Sequence, residues 1–183
     1  MGKINTNMAS EFWFYSQLHR LGYQSFITLG NTKAIDILVR LSDGSILTFD
    51  VKGKENFNSG TYQYLPETKS DYHFFVFIGL QIKKEKKKTI FEGEPECYIV
   101  NSNDLDLIAF HWTASNKVTK GYGFDQKILR IIKKYDNEMV KMSKADRKKL
   151  ESFKNFQKRY NFMEIKNKIM CVEDFENKFF DKK

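Results

Sequence analysis

The first segment with a clear hydrophobic period covers residues 9–21, and it predicts an amphipathic helix. Ser10 or Asn7 is the expected N-terminal cap, because short polar side chains accept hydrogen bonds from the first helical N–H groups. Gly22 follows the last periodic position and suits the left-handed conformation that ends many helices. The apolar stripe of this helix consists of Phe14, Tyr15, Leu18 and Leu21.

After this helix, apolar residues recur at every second position, which is the period of half-buried β-strands. Residues 23–28 and 34–41 follow this pattern, and residues 45–51 resume it after a Ser-Asp-Gly turn at 42–44. Because Asp and Gly both favour tight turns, we expect the two strands that flank the turn to form a hairpin. Residues 72–80 are almost entirely apolar, as expected of a strand that is buried on both faces.

The lysine-rich run at residues 83–88 predicts the tip of a second hairpin. Its first strand is expected within residues 72–82. Its second strand lies within either 89–91 or 96–100, and the sequence leaves these two alternatives open. Residues 104–112 have helical spacing after a Ser-Asn capping pair, so they predict a helix.

The last third of the chain is basic and less clearly patterned. Residues 125–134 are compatible with either a strand or a helix, whereas residues 143–160 predict a basic helix. We therefore expect an α/β (α+β) fold with a central mixed sheet flanked by helices in residues 1–135, and a basic helical extension packed on it in residues 136–183. The apolar side of the basic helix consists of Leu150, Phe153 and Phe156.

The composition of the chain fits a globular protein of ordinary domain size. Its 183 residues are 41% hydrophobic and include 17 Phe and 9 Tyr, which is enough for a substantial core. Cys97 and Cys171 stand far apart and predict neither a disulfide framework nor a zinc site. No apolar run has the length of a signal-peptide core or a membrane span, so we expect a cytoplasmic protein without a membrane partner.

The positive charge is unevenly distributed along the sequence. Residues 1–80 contain seven Lys/Arg and seven Asp/Glu, so the net charge of +8 arises entirely from residues 81–183. Such an imbalance is typical of proteins with a site on one part and a polyanion-binding surface on another. A solvated basic face explains the charge equally well.

Three charged residues stand on the predicted strands where apolar side chains would be expected. Asp50 and Lys52 are two positions apart, so their side chains leave the same face, roughly 6.5–7 Å apart along the backbone. Phe49 and Val51 point to the opposite face. Asp36 interrupts the preceding strand, and pairing through the predicted turn brings it close to Asp50 and Lys52. The sequence therefore predicts that two carboxylates and a lysine converge.

This set of side chains suits phosphodiester hydrolysis. Carboxylate oxygens of Asp36 and Asp50 are ligands that Mg²⁺ accepts together with water and phosphate oxygens. Lys52 is a candidate to orient or deprotonate the attacking water, or to neutralise the phosphate. The backbone carbonyl of Val51 is a candidate further ligand. Glu11, on the first helix, is a candidate to complete the site directly or through water.

A solvated strand face is the alternative explanation of the same residues. Asp50, Lys52 and Lys54 alternate along one strand, as exposed polar residues do, and Asp36 would then be a surface acid at a sheet edge. An Asp-x-Lys triplet by itself favours this alternative. The upstream Asp36 and the helical Glu11 shift the balance towards a functional site.

The order and spacing of these residues resemble the PD-(D/E)XK nuclease superfamily over about residues 8–80. The similarity lies in Glu11 within the first helix, in Ile35-Asp36-Ile37-Leu38-Val39, and in Phe49-Asp50-Val51-Lys52-Gly53. The resemblance implies a restriction-endonuclease-like core. It also implies that Asp36 is the aspartate of the first motif, and that Asp50 and Lys52 form the second. By the same resemblance, Glu11 is the helical glutamate.

Two positions depart from the pattern of that superfamily. Ile35 stands where the proline of the superfamily name would be, and Asp50 replaces the more common glutamate. Both differences are compatible with the chemistry, because neither removes a charged group from the predicted site.

The resemblance implies a DNA endonuclease that uses Mg²⁺, with Mn²⁺ as an alternative cofactor. Two other functions stay open: a non-catalytic nucleic-acid-binding module with the same fold, and a junction-resolving nuclease, which would require a homodimer. Candidate nucleic-acid contacts are Lys33 before the Asp36 strand, Lys54 after Lys52, and the run Lys83, Lys84, Lys86, Lys87 and Lys88.

Overall fold

The computed structural model of the chain describes residues 6–28, 35–56, 69–85, 88–104, 109–112, 121–124, 134, 142–148, 169–170 and 172–179. Its helices include α1 (Thr6–Arg20) and α2 (Val172–Phe179), and Ser102–Asp104 forms a short 3₁₀ helix. The strands are β1 (Gln24–Ile27), β2 (Ile37–Arg40), β3 (Ile46–Lys54), β4 (His73–Gly79), β5 (Ile82–Glu85), β6 (Lys88–Phe91), β7 (Glu96–Asn101), β8 (Ala109–Trp112), β9 (Gly121–Phe124) and β10 (Ile169–Met170).

Six of these strands form one mixed sheet in the order β1-β2-β3-β4-β7-β10. The central pair, β3 and β4, is parallel, whereas the other neighbouring pairs are antiparallel. The fold is therefore α+β with a mixed sheet, as the sequence predicts. The central strand β4 is apolar along nearly its whole length, because it is buried between two neighbouring strands.

One face of the sheet packs against α1 and α2 through aromatic side chains. Phe14 of α1 is fully buried, and its ring centroid lies 5.3 Å from that of Phe49 on β3. Phe175 of α2 contacts the same Phe49 ring at 5.6 Å and the Phe74 ring at 5.0 Å. Edge-to-face aromatic pairs of this kind stabilise a core beyond the burial of their apolar area.

The first helix begins earlier than its hydrophobic period predicts. It starts at Thr6, so Ser10 and Asn7 both lie inside α1 and neither is its N-terminal cap. Ser10 is instead fully buried, while Leu21 follows the helix and is 37% exposed rather than part of its apolar stripe. The predicted C-terminal end is confirmed, since Gly22 adopts a φ of +86°.

The first hairpin joins β2 and β3 at the predicted turn. Gly44 has a φ of +86°, and the Asp43 carboxylate accepts a 2.8 Å hydrogen bond from the Ser45 N–H. This local bonding closes the turn and sets the register in which Arg40 faces Ile46. The strand β2 is shorter than predicted, beginning at Ile37.

Two strand pairings form in the segment after β4, where the sequence left two alternatives open for the second strand of the hairpin. All seven residues of β4 are buried, which confirms the strand predicted within residues 72–80. Residues 88–91 pair with β5, while residues 96–101 pair with β4 itself. Both predicted second strands therefore exist. The prediction that the lysine run is only a hairpin tip is wrong in part, because Lys83 and Lys84 lie in β5 and Lys88 lies in β6, and these two strands pair with each other.

The chain divides into two compact units, and the sheet belongs to the first. This unit contains Met1–Asn56, Pro66–Asn103 and Ile169–Lys183. Its last segment comes from the predicted C-terminal extension. There, β10 pairs with β7, and Phe175 of α2 lies in the core of the sheet.

The second unit contains Phe57–Leu65 and Asp104–Lys168. The helix predicted for residues 104–112 is wrong, because 102–104 form a 3₁₀ helix and 109–112 form β8, which pairs with β9. Here, pairing with β9, which lies later in the sequence, outweighs the helical spacing of residues 104–112. Residues 144–148 are helical, as predicted for the start of the basic helix. The residues outside the described part include 125–133, Leu150, Phe153 and Phe156.

Candidate active site

The strand β3 separates its apolar and charged side chains between the two faces of the sheet. Phe49 and Val51 belong to the core cluster, and Asp50 and Lys52 leave the opposite face. The Asp50 side chain is fully buried and forms an ion pair and hydrogen bond with Lys52, whose side chain is 25% exposed. The lysine therefore joins a buried carboxylate to the surface.

Asp36 lies immediately before β2 and next to Asp50. The regular register of the hairpin ends where Ile37 pairs with Phe49, because the Asp36 N–H donates to the Phe49 carbonyl and not to Asp50. The Asp36 carboxylate nevertheless bonds to the Val51 N–H, and its charge acts on Asp50. Asp36 is therefore near Asp50, and it precedes β2 instead of interrupting the strand as predicted.

The Asp36 carboxylate bonds to the backbone of β3, at a position where a neighbouring strand would otherwise supply a carbonyl oxygen. Its Oδ2 accepts a 2.7 Å hydrogen bond from the Val51 N–H, and its own N–H donates to the Phe49 carbonyl at 2.8 Å. Because the N–H and C=O of one strand residue point to the same side, the Val51 carbonyl also points towards the Asp36 side. The Val51 carbonyl, which is predicted as an additional oxygen ligand, therefore lies on the edge of β3 that faces Asp36.

The site raises the pKa of its buried acids. Burial raises the pKa of Asp50 to about 6; Lys52 opposes this shift, and the negative charge of the nearby Asp36 adds to it. In the described part of the chain, Oδ2 of Asp50 has no hydrogen-bond partner. A buried carboxylate with a free oxygen beside a second carboxylate is a place where a cation would be stabilised.

Glu11 lies on α1, which packs on the Phe49 face of the sheet, whereas Asp50 and Lys52 leave the opposite face. Burial raises the pKa of Glu11, followed by the repulsion of Asp36, while Lys52 lowers it. Among the described residues, Glu11 does not group with Asp36 and Asp50 as a metal site. Its predicted role in the site stays a prediction.

Close packing of α1 on β3 positions Glu11. A side chain added at Gly53 would overlap with the Thr6 carbonyl oxygen and the Ser10 hydroxyl, so only glycine permits this approach. Ser10 immediately precedes Glu11, and its buried hydroxyl has no hydrogen-bond partner among the described atoms. The Gly53 contact therefore sets the distance between the helix and the charged pair.

Divalent-metal binding is compatible with the donors in this cluster, although they do not form a complete protein cage. Among the described residues, no three His, Cys, Asp or Glu side chains are grouped as a metal site. Mg²⁺ commonly binds through one or two carboxylates and keeps several waters. The free Oδ2 of Asp50 and the adjacent Asp36 carboxylate therefore fit Mg²⁺ in number and in chemistry.

The sequence did not reveal a partly buried pair on the same face, formed by Thr48 and His73. Thr48 Oγ1 lies 2.7 Å from His73 Nδ1, and the imidazole is buried. Burial lowers the pKa of His73; Lys52 lowers it further and Asp36 opposes this. The two residues meet through parallel pairing of β3 with β4, and no local pattern in the sequence specifies that pairing.

The predicted nucleic-acid contacts are described only in part. Lys54 is half-buried on the face that carries Lys52, and burial lowers its pKa. Lys83 is exposed on β5 and forms ion pairs with Glu85 and Glu92. Lys33, Lys86 and Lys87 lie outside the described residues. The structure describes only the backbone of Lys84 and Lys88, which belong to β5 and β6.

Comparison with known proteins finds no match to a family model, a curated protein or a solved structure. The resemblance to the PD-(D/E)XK superfamily therefore depends on the motif residues and their geometry.

Within the described part of the chain, no helix is long and apolar enough to cross a membrane.

Proposed function

We propose that this protein is a metal-dependent nuclease of the PD-(D/E)XK type, with a restriction-endonuclease-like core that hydrolyses phosphodiester bonds in DNA. The observation that carries the proposal is that Asp36 bonds to the backbone beside the Asp50–Lys52 pair and acts on Asp50 through its charge, while one buried oxygen of Asp50 has no hydrogen-bond partner among the described residues. If the charged residues lay on a solvent-exposed face of the sheet, their side chains would be solvated. Here, Asp50 is instead fully buried beside a second acid.

Asp36 and Asp50 would hold Mg²⁺ or Mn²⁺, with Glu11 as a ligand through water and the Val51 carbonyl as a further oxygen. When bound, the metal stabilises negative charge on the phosphate and lowers the pKa of a coordinated water. The Val51 N–H fixes the orientation of the Asp36 carboxylate through their hydrogen bond. This preorganisation reduces the rearrangement needed on binding.

Lys52 provides the positive charge of the site. Its Nζ contacts Asp50, and its side chain reaches the surface, where a phosphate would approach. As an ammonium it donates hydrogen bonds to the phosphate oxygens and neutralises the charge that builds up during attack. It also orients the attacking water, or accepts its proton after losing its own.

A cleavage assay with Mg²⁺ or Mn²⁺ tests this proposal, using plasmid, linear, single-stranded and four-way-junction DNA. We expect metal-dependent products that disappear with EDTA and with Asp50→Asn. Selective cleavage of the junction by a dimer would identify a junction-resolving nuclease. Binding of DNA without any cleavage or metal binding would instead establish a non-catalytic binding module.

A further inference from the structure

The hairpin of β5 and β6 is attached directly to the end of the strand that carries Asp50 and Lys52. The Leu80 N–H donates to the Lys54 carbonyl at 2.9 Å, and the Ile82 N–H donates to the Glu55 carbonyl at 2.7 Å. Ile82 is itself part of the buried core. The base of the hairpin is therefore hydrogen-bonded to the chain just beyond Lys52.

A change of backbone direction at Gln81 separates this hairpin from β4. Gln81 adopts a φ of 53°, which side-chain-bearing residues rarely adopt, and its amide donates a 3.2 Å hydrogen bond to Glu96. The Gln81 carbonyl accepts a 2.9 Å hydrogen bond from the Glu92 N–H, which closes the base of the hairpin. The direction in which the hairpin projects is thus determined by several bonds.

The second strand of the hairpin exposes apolar side chains. Phe91 is 70% exposed, the largest value among the exposed large hydrophobic residues of the described chain, and Ile90 is 37% exposed. Residues 82–92 also contain five lysines and two glutamates, a net charge of +3. An exposed aromatic ring on a positively charged arm combines the two features that bind unpaired nucleotides: attraction for phosphate and a surface for stacking.

We propose that Phe91 stacks on an unpaired base of the DNA that occupies the active site, which makes the hairpin a determinant of substrate structure. The inference rests on the proposed nuclease function and specifies its substrate as DNA with a single-stranded or unstacked segment. The charge of the arm favours a polyanion over an apolar protein partner. Duplex DNA offers the ring no base face unless a base pair opens.

Binding without metal tests this inference independently of cleavage. Fluorescence anisotropy in EDTA measures the affinity of wild type, Phe91→Ala and Phe91→Trp for single-stranded and fully duplex oligonucleotides. Tyr72→Ala is the matched control, because Tyr72 is 53% exposed and precedes the opposite end of β4. We expect Phe91→Ala to weaken single-strand binding roughly ten-fold to hundred-fold, with duplex binding unchanged. Phe91→Trp should restore binding, and Tyr72→Ala should leave it intact.

A stacking signal distinguishes a base contact from a structural effect. An oligonucleotide containing 2-aminopurine should lose fluorescence on binding wild type and Phe91→Trp, but not Phe91→Ala or Phe91→Leu. Equal losses of affinity for single-stranded and duplex DNA, or none for either, would overturn the inference while leaving metal-dependent cleavage as evidence for the nuclease. A wild-type dimer that becomes monomeric on Phe91→Ala, with DNA binding unchanged, would also overturn it. Failure of wild type to bind any DNA in EDTA would also overturn the inference, and the proposed function itself would be overturned only if metal-dependent cleavage were absent as well.

Discussion

The Asp36 side chain bonds to the backbone of Val51, with 2.7 Å between its Oδ2 and the Val51 nitrogen. Val51 lies between Asp50 and Lys52, so this hydrogen bond ties the acid at the start of β2 to the charged pair on β3. The carboxylate thereby accepts a hydrogen bond that a backbone carbonyl would accept if the strand pairing continued. Replacing Asp36 would therefore remove both a charge and a partner of the strand.

Asp50→Asn should abolish metal-dependent cleavage and preserve or strengthen DNA binding. The amide keeps the shape of the side chain but lacks the negative charge that attracts the metal, and it also reduces repulsion of phosphate when no metal is present. Cleavage and anisotropy assays on the same DNA separate the two effects. Retention of wild-type cleavage rates would rule out Asp50 as a metal ligand.

The same variant should change how stability depends on pH in the metal-free protein. The pKa of Asp50 is raised from 3.8 to about 6, so the folded state holds this proton more tightly than the unfolded state. Its stabilising contribution is fully present below pH 3.8 and is lost as the pH rises through 6. Asp50→Asn should therefore match wild type near pH 4 and exceed it at pH 8, by on the order of 1–3 kcal/mol in urea unfolding.

Lys52→Ala should reduce cleavage by about a hundred-fold or more and leave metal affinity largely intact. The ammonium contributes to charge stabilisation and water activation, and it cannot be a metal ligand. Single-turnover cleavage and titration calorimetry with Mn²⁺ measure the two properties. Arg20→Ala, at the far end of α1 from Glu11, is a charge-matched control that should leave both unchanged. Loss of metal binding in Lys52→Ala would contradict the assigned role.

Gly53→Ala should destabilise the protein by about 1–3 kcal/mol, because the new methyl group overlaps with the backbone of α1 at Thr6. It should also lower cleavage, since the helix that carries Glu11 must move away from β3. Urea unfolding and cleavage rates measure the two changes. Gly93→Ala is the matched control: an added Cβ there meets nothing within 4 Å, so stability should change by less than about 0.5 kcal/mol.

Thr48→Val should cost about 1–3 kcal/mol, because it leaves His73 Nδ1 buried without its hydroxyl partner. Burial lowers the pKa of His73 from 6.5, so stability from this residue is present above pH 6.5 and is lost as the pH falls below it. His73→Gln should remove that acid-dependent loss. Measuring the pH dependence of stability for His73→Gln in the Asp50→Asn background removes the titration of Asp50, which overlaps with that of His73. An unchanged pH profile would show that His73 does not titrate between the two states.

Replacing the hairpin lysines from Lys83 to Lys88 with alanine should weaken DNA binding and flatten its dependence on salt. Each lost phosphate contact lowers the slope of log affinity against log salt by about 0.9. Lys83 should contribute least, because it already forms ion pairs with Glu85 and Glu92. Anisotropy titrations between 50 and 200 mM salt, roughly the range over which such contacts are resolved, measure the slopes. Equal slopes for all variants would mean that the hairpin lies off the DNA path.

Local patterns in the sequence were enough to predict the geometry of the central charged pair. The two-residue period of a strand puts Asp50 and Lys52 on one face whatever the rest of the chain does. The Asp43-Gly44 turn sets the β2–β3 register because its hydrogen bonds are formed between neighbouring residues. These two constraints bring Asp36 to the end of the hairpin, but its final position is set by its own bonds to the backbone of Phe49 and Val51.

Tertiary structure decided the features that depend on residues far apart in the chain. The parallel pairing of β3 with β4 brings Thr48 to His73, twenty-five residues later, and the approach of α1 makes Gly53 necessary. The predicted helix ending at Trp112 gave way to a strand because its partner, β9, lies outside the local window. Periodicity specifies which face a side chain occupies within its own element. Packing summed over the whole chain determines which elements meet and which side chains, such as Phe91, stay exposed.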